Sequence, residues 1–407
     1  MSRTVLAIIA ILLCTTAAWA ILGATILART YSADSGLGPR VDSSWGGEHQ
    51  QTPPAATTSP VVSKQVQETT NNSTVVKTVQ ETVTAVLPLE RSRLRVNLDL
   101  EQRQKGLLWF ATYRVGFHGD YSFRNTSESD EVLLKLVFPA PQAIYDDLVL
   151  RVDGQQVPTV MLDGAVTARV RKAPGSIIQL ETGYRSQGSG VWRYSFGENI
   201  AQVNDLLMDM TTNFDAVDFP AGTLSPTMKR KTKDGWLLTW RYTNLITGYK
   251  IGMVMPEKLQ PGPLAGRISF FAPVSLLFFF FLIFIISTLK GIELHPMHYF
   301  FLAAAFFAFH LLLAYLVDHI SIHAAFIICS AVSIFLVVSY MRVVVGRRFA
   351  FVETALTQLV YLVGFSYAFF FKGFTGLAVT IGAIVSLFIV MQLTARIDWR
   401  GQRAAAR

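Results

Sequence analysis

Residues 268–289 read ISFFAPVSLLFFFFLIFIISTL and contain neither a charged side chain nor a histidine. An α-helix needs about 20 apolar residues to cross the hydrocarbon core of a bilayer, and this stretch meets that length. One comparable stretch precedes it and four follow it. The sequence therefore predicts six transmembrane helices, at residues 4–28, 268–289, 299–317, 320–341, 349–371 and 373–394.

Lysine and arginine residues near the ends of these spans predict the orientation, because short basic loops are retained in the cytoplasm. If the N-terminus is inside, the two short external loops carry one basic residue, Lys372. The cytoplasmic edges then carry Arg3, Lys290, Arg342, Arg347, Arg348, Arg396, Arg400, Arg403 and Arg407. Both termini are predicted to be cytoplasmic, with the large segment of residues 29–267 outside.

The first span has an alternative interpretation as a cleaved secretory signal, because Ala18-Trp19-Ala20 approximates a small-residue cleavage pattern. The apolar run continues to Ala28, which is longer than the apolar region of a signal peptide. We therefore expect an uncleaved anchor at residues 1–28. Both cysteines, Cys14 and Cys329, fall inside predicted helices, so the exported segment must fold without disulfides.

The net charge of +8 does not predict a nucleic-acid partner. Residues 29–267 contain 26 basic and 24 acidic side chains, which leaves 10 basic and 4 acidic for the remainder of the chain. The positive excess therefore lies beside the membrane spans, where it determines orientation. The predicted basic tail, residues 395–407, is expected to lie against anionic lipid headgroups of the bilayer.

The exported segment divides by composition. Residues 29–87 are rich in Ser, Thr and Gln and are predicted to be a tether. Residues 88–267 alternate apolar and polar side chains, as in the run from Leu94 to Leu100, and turn signals such as His118-Gly119-Asp120 and Asp234-Gly235 interrupt them. This pattern predicts an antiparallel β-sandwich, as one domain or two subdomains, so that the fold class is a membrane protein of α + β type.

This predicted β domain shows no catalytic motif and no metal-binding motif, so we expect neither an enzyme nor a cofactor. Asp205, Asp209, Asp215 and Asp218 form a loose acidic cluster, but their spacing fits no calcium loop. The basic run at residues 229–233 precedes Asp234-Gly235 and is typical of a solvated hairpin end.

Five of the seven histidines lie between His295 and His323. Ionisable groups inside a membrane are costly and are functional candidates by default. The candidate polar membrane site comprises His310, Asp318, His319, His323 and Glu353. The simpler interpretation is that His310 hydrogen-bonds a neighbouring helix and that Glu353 lies at the cytoplasmic interface. A zinc site on His319 and His323 is a weaker alternative, because a tight turn separates them. Gly364, Gly373, Gly376 and Gly382, with Ser366, Thr380 and Ser386, predict close packing on the last two helices.

The membrane half resembles the CreD family of bacterial inner-membrane proteins, which is associated with cell-envelope integrity. The resemblance lies in residues 294–299 (LHPMHY), 311–319 (LLLAYLVDH) and 393–399 (LTARIDW). Its motif positions here are His295, Pro296, Tyr299, Asp318, His319, Arg396, Asp398 and Trp399. The family usually has Glu before the histidine matched by His319 and Gln where His298 stands. No catalytic residue transfers from the resemblance.

Together, the pattern and the resemblance predict a multi-pass inner-membrane protein with a periplasmic domain that contributes to envelope integrity. We expect the domain to bind or scaffold an envelope protein or a cell-wall component, without catalysis. The alternative is a proton-coupled carrier that uses His310 and Glu353, although no inverted repeat supports it. A metal-dependent hydrolase built on His319 and His323 is a third hypothesis.

Overall fold

The computed structural model describes residues 2–59, 61–70, 73–82, 84–105, 108–197, 199–371 and 373–395. These residues form two compact units, which are treated separately below. The helical unit comprises the described residues of Met1–Ser35 and Leu259–Arg407, and the sheet unit is Gly36–Lys258. The unit boundaries thus follow residues 35 and 258, whereas the sequence predicted changes after residues 28 and 267.

Within the described residues, six helices are long enough and apolar enough to cross a membrane, as the sequence predicts. Helix α1 begins at Ser2 and extends to Trp45, well past the predicted end of the first span at Ala28. The six are α1 (Ser2–Trp45), α2 (Pro261–Leu289), α3 (Pro296–Leu316), α4 (Ile322–Val344), α5 (Phe349–Phe370) and α6 (Thr375–Thr394).

Helix α3 begins where the sequence signals it. Pro296 occupies the first turn, where its missing N–H costs no hydrogen bond. The His295 imidazole accepts a hydrogen bond from the Met297 N–H at 3.3 Å through Nδ1 and so caps the helix. Ser321 caps α4 in the same way, by accepting from the Ala324 N–H.

Helix α5 is irregular, which its apolar composition does not predict. Its turns are π-helical at Phe349–Thr354 and Leu359–Gly364, and it closes in a 3₁₀ turn at Ala368–Phe370. Single π turns widen the helix and are frequent at functional positions.

Close helix approach occurs between α1 and α2. A Cβ atom placed on Gly23 would lie 2.9 Å from the Phe270 ring, and one on Gly266 would lie 3.1 Å from Leu27. The predicted close packing through the glycines of the last helix was wrong. A Cβ at Gly376 or Gly382 would have no heavy atom of the described residues within 4 Å.

The sheet unit contains eighteen strands among the described residues. The first eleven are β1 (His49–Gln51), β2 (Ala55–Thr58), β3 (Val61–Thr70), β4 (Ser73–Thr82), β5 (Ala85–Val86), β6 (Leu89–Lys105), β7 (Leu108–Arg124), β8 (Glu131–Val137), β9 (Tyr145–Val152), β10 (Gln155–Gln156) and β11 (Val160–Leu162). The others are β12 (Ala165–Arg171), β13 (Ile177–Ser189), β14 (Val191–Tyr194), β15 (Ala201–Thr212), β16 (Met228–Lys231), β17 (Trp236–Thr247) and β18 (Ile251–Val254).

These strands form four sheets. The eight-stranded sheet has the order β10-β9-β13-β7-β6-β15-β17-β16, and the five-stranded sheet has the order β11-β12-β8-β2-β5. A three-stranded sheet, β1-β14-β18, and the hairpin β3-β4 complete the unit. The predicted antiparallel fold is confirmed, with two parallel pairs added to it, β1 with β14 and β6 with β15.

One apolar core joins the three larger sheets. Leu94 and Tyr113 of the eight-stranded sheet, Leu134 of the five-stranded sheet and Trp192 of the three-stranded sheet all belong to it and are fully buried. Alternate side chains of β6 and β8 point into this core, which is the period-two pattern that the sequence shows.

The predicted tether over residues 29–87 was wrong for the residues that the structure describes. Residues 29–45 continue α1, β1 pairs with β14, and β2 pairs with β8. Main-chain hydrogen bonding in a sheet needs few apolar side chains from the added strand. A composition rich in Ser, Thr and Gln therefore did not reveal these strands.

The predicted turn at His118-Gly119-Asp120 was also wrong, because β7 runs through it without interruption. A Cβ at Gly119 would lie 2.6 Å from the Tyr121 ring, so the glycine makes room for that buried ring. Asp153-Gly154, by contrast, forms the turn between β9 and β10 with positive φ at both residues.

Gly235, in the turn between β16 and β17, packs closely against the main chain at the end of β15, and a substitution there tests this contact. A Cβ there would lie 2.1 Å from the main-chain oxygen of Thr212, which cannot move without breaking the sheet. We expect Gly235→Ala to destabilise the sheet unit by about 3 kcal/mol. Gly116→Ala is the matched control, because its Cβ would lie 3.8 Å from the nearest atom. Thermal unfolding of the purified full chain compares them, and equal stabilities would contradict the packing.

Candidate functional site

His310 lies inside the helical unit and is 1% exposed. Its Nδ1 lies 2.9 Å from the main-chain oxygen of Phe306, one turn earlier on α3, and its Nε2 has no hydrogen-bond partner. The ring contacts Trp19 of α1 edge-on, with 5.5 Å between ring centroids. His310 is thus bonded within its own helix and packed against aromatic side chains, so the expected hydrogen bond to a neighbouring helix was wrong.

Glu353 forms an ion pair with Lys290 at the end of α2. One oxygen of its carboxylate, Oε2, has no hydrogen-bond partner, as is also true of His310 Nε2. His310 and Glu353 therefore do not hydrogen-bond each other. This arrangement agrees with the simpler interpretation of Glu353 as an interfacial residue beside a basic side chain.

Asp318 follows α3 and forms an ion pair with Arg29 of α1 at 3.0 Å. Arg29 also donates to the main-chain oxygen of Ala314 at 3.0 Å, which fixes the end of α3 against α1. His319 and His323 are both exposed, and the end of α3 and the start of α4 separate them. The ring of His323 packs against Phe370.

The structure does not bring the five predicted residues together at one site, because they have different partners. Within the described residues, no group of three or more His, Cys, Asp or Glu side chains could hold a metal ion. Of the family-motif positions, His295 and Pro296 open α3 and Tyr299 is buried in its first turns. Arg396, Asp398 and Trp399 lie outside the described residues.

A buried polar contact between α4 and α5 was missed by the sequence reasoning. Gln358 is fully buried between the two π-helical segments and donates to Ser333 Oγ at 2.9 Å. Ser333 Oγ in turn lies 3.1 Å from the main-chain oxygen of Ala305 on α3. These bonds tie three helices together, as interhelical polar contacts commonly do. The polar pair Thr357-Gln358 within an apolar span is the sequence signal that could have revealed it.

The sheet unit contains a groove of about 560 Å³ on the face of the eight-stranded sheet, hereafter the sheet groove. Strand register places its lining side chains in two rows across β15, β6, β7 and β13. The first row is Asp209, Arg95, His118 and Gly183, and the second row is Thr211, Asn97, Gly116 and Arg185.

Glycine forms the floor of the sheet groove in both rows. Gly116 and Gly183 place no side chain on this face, so a depression remains between neighbours that carry long side chains. An irregularity in the pairing of β9 with β13, between Gly183 and Arg185, lies beside the groove. Such bulges bend a sheet locally and are frequent next to binding sites.

Not every charged side chain of the sheet groove has a partner. Arg185 forms ion pairs with Asp146 and Asp147, and Asp209 accepts a hydrogen bond from Thr239 at 2.6 Å. The side chain of Arg95 is exposed and makes no hydrogen bond or ion pair with any residue that the structure describes, whereas its main chain pairs with β7 and β15. An exposed guanidinium in a concave site is suited to an anionic ligand group.

The acidic cluster and the basic run of the sequence have structural partners. Asp205 pairs with Arg93 at 2.6 Å, and Asp215 pairs with Lys231. Asp218 accepts a hydrogen bond from the Phe219 main-chain N–H. Of the four acidic residues, Asp209 alone lines the sheet groove.

His49 and Ser186 form a pair that resembles a nucleophile and its base, but the pair lies inside the core. His49 Nε2 is 3.1 Å from Ser186 Oγ, and Nδ1 is 2.8 Å from Tyr113 Oη. His49 is fully buried, and burial lowers its pKa to about 4. Ser186 donates its hydroxyl to the main-chain oxygen of Ile144 at 2.7 Å. Both groups are buried, so the pair is a hydrogen-bonded contact within the core.

Comparison with solved structures gives similarities too weak to interpret. The chain is 12% identical to a two-domain M1 zinc metallopeptidase variant bound to L-arginine, over 41% of this chain and 42% of that chain, at a TM-score of 0.28. It is 10% identical to the M1 zinc metallopeptidase from Deinococcus radiodurans, over 68% of this chain and 94% of that chain, also at 0.28. TM-scores this low carry no argument about fold or activity.

No curated protein matches the chain. A family match does exist in the half that carries the sequence motifs, residues 207–400, and the family is described as inner membrane protein CreD. Five of the six apolar helices described lie within the matched residues, and α1 lies outside them. The chain is therefore a membrane protein, and its residues 207–400 match the CreD family of inner-membrane proteins, as the sequence motifs predicted.

Proposed function

We propose that this chain contributes to cell-envelope integrity by binding an envelope component in its sheet groove, on the periplasmic side of the inner membrane, without catalysis. The observation that carries the proposal is a glycine-floored groove of about 560 Å³ that presents the unpaired Arg95. The family match supports the inner membrane as the location.

The orientation in this proposal rests on the distribution of basic residues. Lys290, Arg342, Arg347 and Arg348 lie at one end of the helices of the bundle, and this end is expected to remain in the cytoplasm. The sheet unit, which joins α1 to α2, then lies in the periplasm, with both termini of the chain in the cytoplasm.

The lining of the sheet groove favours an anionic ligand that also carries hydroxyl or amide groups. Arg95 supplies a guanidinium for a carboxylate or a phosphate. Asn97 lies two residues further along β6, and Asp209 and Thr211 lie on the neighbouring strand β15. Thr211 donates to Asn97 Oδ1 at 2.6 Å, and the oxygens of these amide, hydroxyl and carboxylate groups can accept hydrogen bonds from polar substituents. Carboxylate-bearing glycan of the cell wall has this chemistry, and it is the ligand class that we assign.

The placement of two kinds of reactive side chain supports a role in binding rather than catalysis. The His49–Ser186 pair is buried, and the sheet groove contains no serine or cysteine among its lining residues. His118 lines the groove, but its Nε2 faces the Asp120 carboxylate at 3.4 Å, and no serine or cysteine lies among the lining residues for it to activate. These side chains can bind a ligand through charge and hydrogen bonds.

Photo-crosslinking in intact cells tests the proposed function. A photoreactive amino acid in place of Val149, which lines the sheet groove, should capture cell-wall glycan. The matched control is Val137, an exposed valine on the five-stranded sheet, where no capture is expected. Capture of glycan at both positions, or at neither, would contradict the proposal. Capture of a protein at Val149 without glycan would contradict the ligand class.

A further inference from the structure

A second cavity lies in the helical unit, between the end of α2 and the start of α3. It has a volume of about 530 Å³ and is lined by residues of α1, α2, the connecting loop and α3. Thr4 contributes from α1, Ser287 from α2, Glu293 and His295 from the loop, and Tyr299 from α3. Three of the family-motif positions, His295, Pro296 and Tyr299, therefore line one cavity, hereafter the motif pocket.

The motif pocket contains groups that favour ligand charges of opposite sign. Glu293 is exposed and forms no ion pair with any described side chain. The His295 ring accepts the Met297 N–H through Nδ1, so its Nε2 carries the proton and is free to donate. The start of α3, a helix of 21 residues, adds the positive end of its dipole at Pro296. One wall thus favours an anionic group, and the Glu293 carboxylate favours a cationic one.

An apolar groove of about 230 Å³ continues from the motif pocket along the outside of α1 and α2. Its lining includes Val5 and Ile9 of α1 and Leu277 and Phe281 of α2, with no polar residue among the groove's lining residues. Phe284 lines both cavities, and Thr4 of the pocket precedes Val5 of the groove. Together, a polar pocket and an adjoining apolar groove fit one amphiphilic molecule.

We propose that the motif pocket and its groove bind one phospholipid with a zwitterionic, amine-bearing headgroup. The lipid phosphate lies at His295 and the start of α3, the ammonium group lies at Glu293, and one acyl chain fills the groove between α1 and α2. An anionic headgroup without an amine is disfavoured because it would leave the Glu293 carboxylate beside a negative charge. A water-soluble phosphate is disfavoured because it would leave the apolar groove unused.

This inference is independent of the proposed function, because it concerns the helical unit and no residue of the sheet groove. It assigns a role to the family-motif residues at the start of α3, namely holding a lipid headgroup.

Native mass spectrometry of the purified full chain, released from nanodiscs of equal phosphatidylethanolamine and phosphatidylglycerol content, tests the inference. We expect one retained lipid and at least a tenfold preference for phosphatidylethanolamine. Glu293→Gln should reduce that preference to about one, since it removes the partner of the ammonium group. Leu277→Trp should fill the groove and remove both lipids. Both side chains are exposed, so the fold should persist.

Two controls separate site binding from general association with lipid. Glu257→Gln removes an exposed carboxylate of the sheet unit, and Leu387→Trp adds the same bulk to an exposed position of α6. Neither should change lipid retention or preference. Equal retention of the two lipids by the native chain, or an unchanged preference in Glu293→Gln, would overturn the inference.

Discussion

Arg95→Gln should weaken the binding of a soluble, carboxylate-bearing cell-wall glycan fragment to the purified full chain by at least tenfold. A hydrogen bond to a charged group contributes about 1.5–3 kcal/mol, and about 1.4 kcal/mol corresponds to a tenfold change in affinity. The fold should not change, because the Arg95 side chain is exposed and makes no hydrogen bond or ion pair with any described residue. Isothermal titration calorimetry measures the affinity, which should also fall as salt concentration rises.

A variant that fills the sheet groove tests the same binding site without altering its charge. Gly116→Phe places a ring in the sheet groove, and the backbone accepts a side chain there because the first added atom meets nothing closer than 3.8 Å. We expect binding to be lost. Arg171→Gln, which removes an exposed arginine of β12 in the five-stranded sheet, is the matched control. Binding that survives both groove variants would show that the ligand lies elsewhere.

The buried His49 should make the stability of the sheet unit depend on pH. Burial lowers the pKa of His49 from 6.5 to about 4 in the folded state. The unfolded chain therefore binds a proton between pH 6.5 and 4 that the folded chain does not. The contribution of neutral, buried His49 to the free energy of unfolding is complete above pH 6.5. It falls by about 3 kcal/mol in total as the pH is lowered towards 4.

Hydrogen exchange of the full chain, corrected for intrinsic rates, measures this slope in β14 and β18. His49→Gln should flatten the dependence between pH 6.5 and 4. His118→Gln should retain it, because His118 lies at the sheet surface beside Asp120. A slope that persists in His49→Gln would assign the pH dependence to another group.

Long apolar runs and alternating patterns predicted the elements that bury many apolar side chains. The six helices and strands such as β6 and β8 follow these patterns because their own side chains fill a core. The strands β1 and β2 could not be predicted in this way, because they join existing sheets through main-chain hydrogen bonds. His49, placed by β1 at the centre of a buried network, was missed for the same reason.

The candidate sites, like β1 and β2, depend on contacts between distant residues that the sequence does not predict. Unusual residue types pointed to His310 and Glu353, but pairing depends on packing, and each has its own partner. The geometry of the described residues therefore gives no support to a proton-coupled carrier built on those two. The sheet groove depends on the register that places Gly116 beside Arg185 and Asn97, residues far apart in the chain. No local sequence pattern carries that register.

The central claim is that the sheet unit faces the periplasm, where an envelope ligand is accessible. Single-cysteine labelling tests it most directly, in a chain with Cys14→Ser and Cys329→Ser. Glu128, an exposed residue of the sheet unit, and Glu293, at the end of the bundle predicted to be cytoplasmic, are each replaced by cysteine. A membrane-impermeant maleimide should label Glu128→Cys on intact spheroplasts. It should label Glu293→Cys only after the membrane has been permeabilised. The reverse pattern would contradict the account.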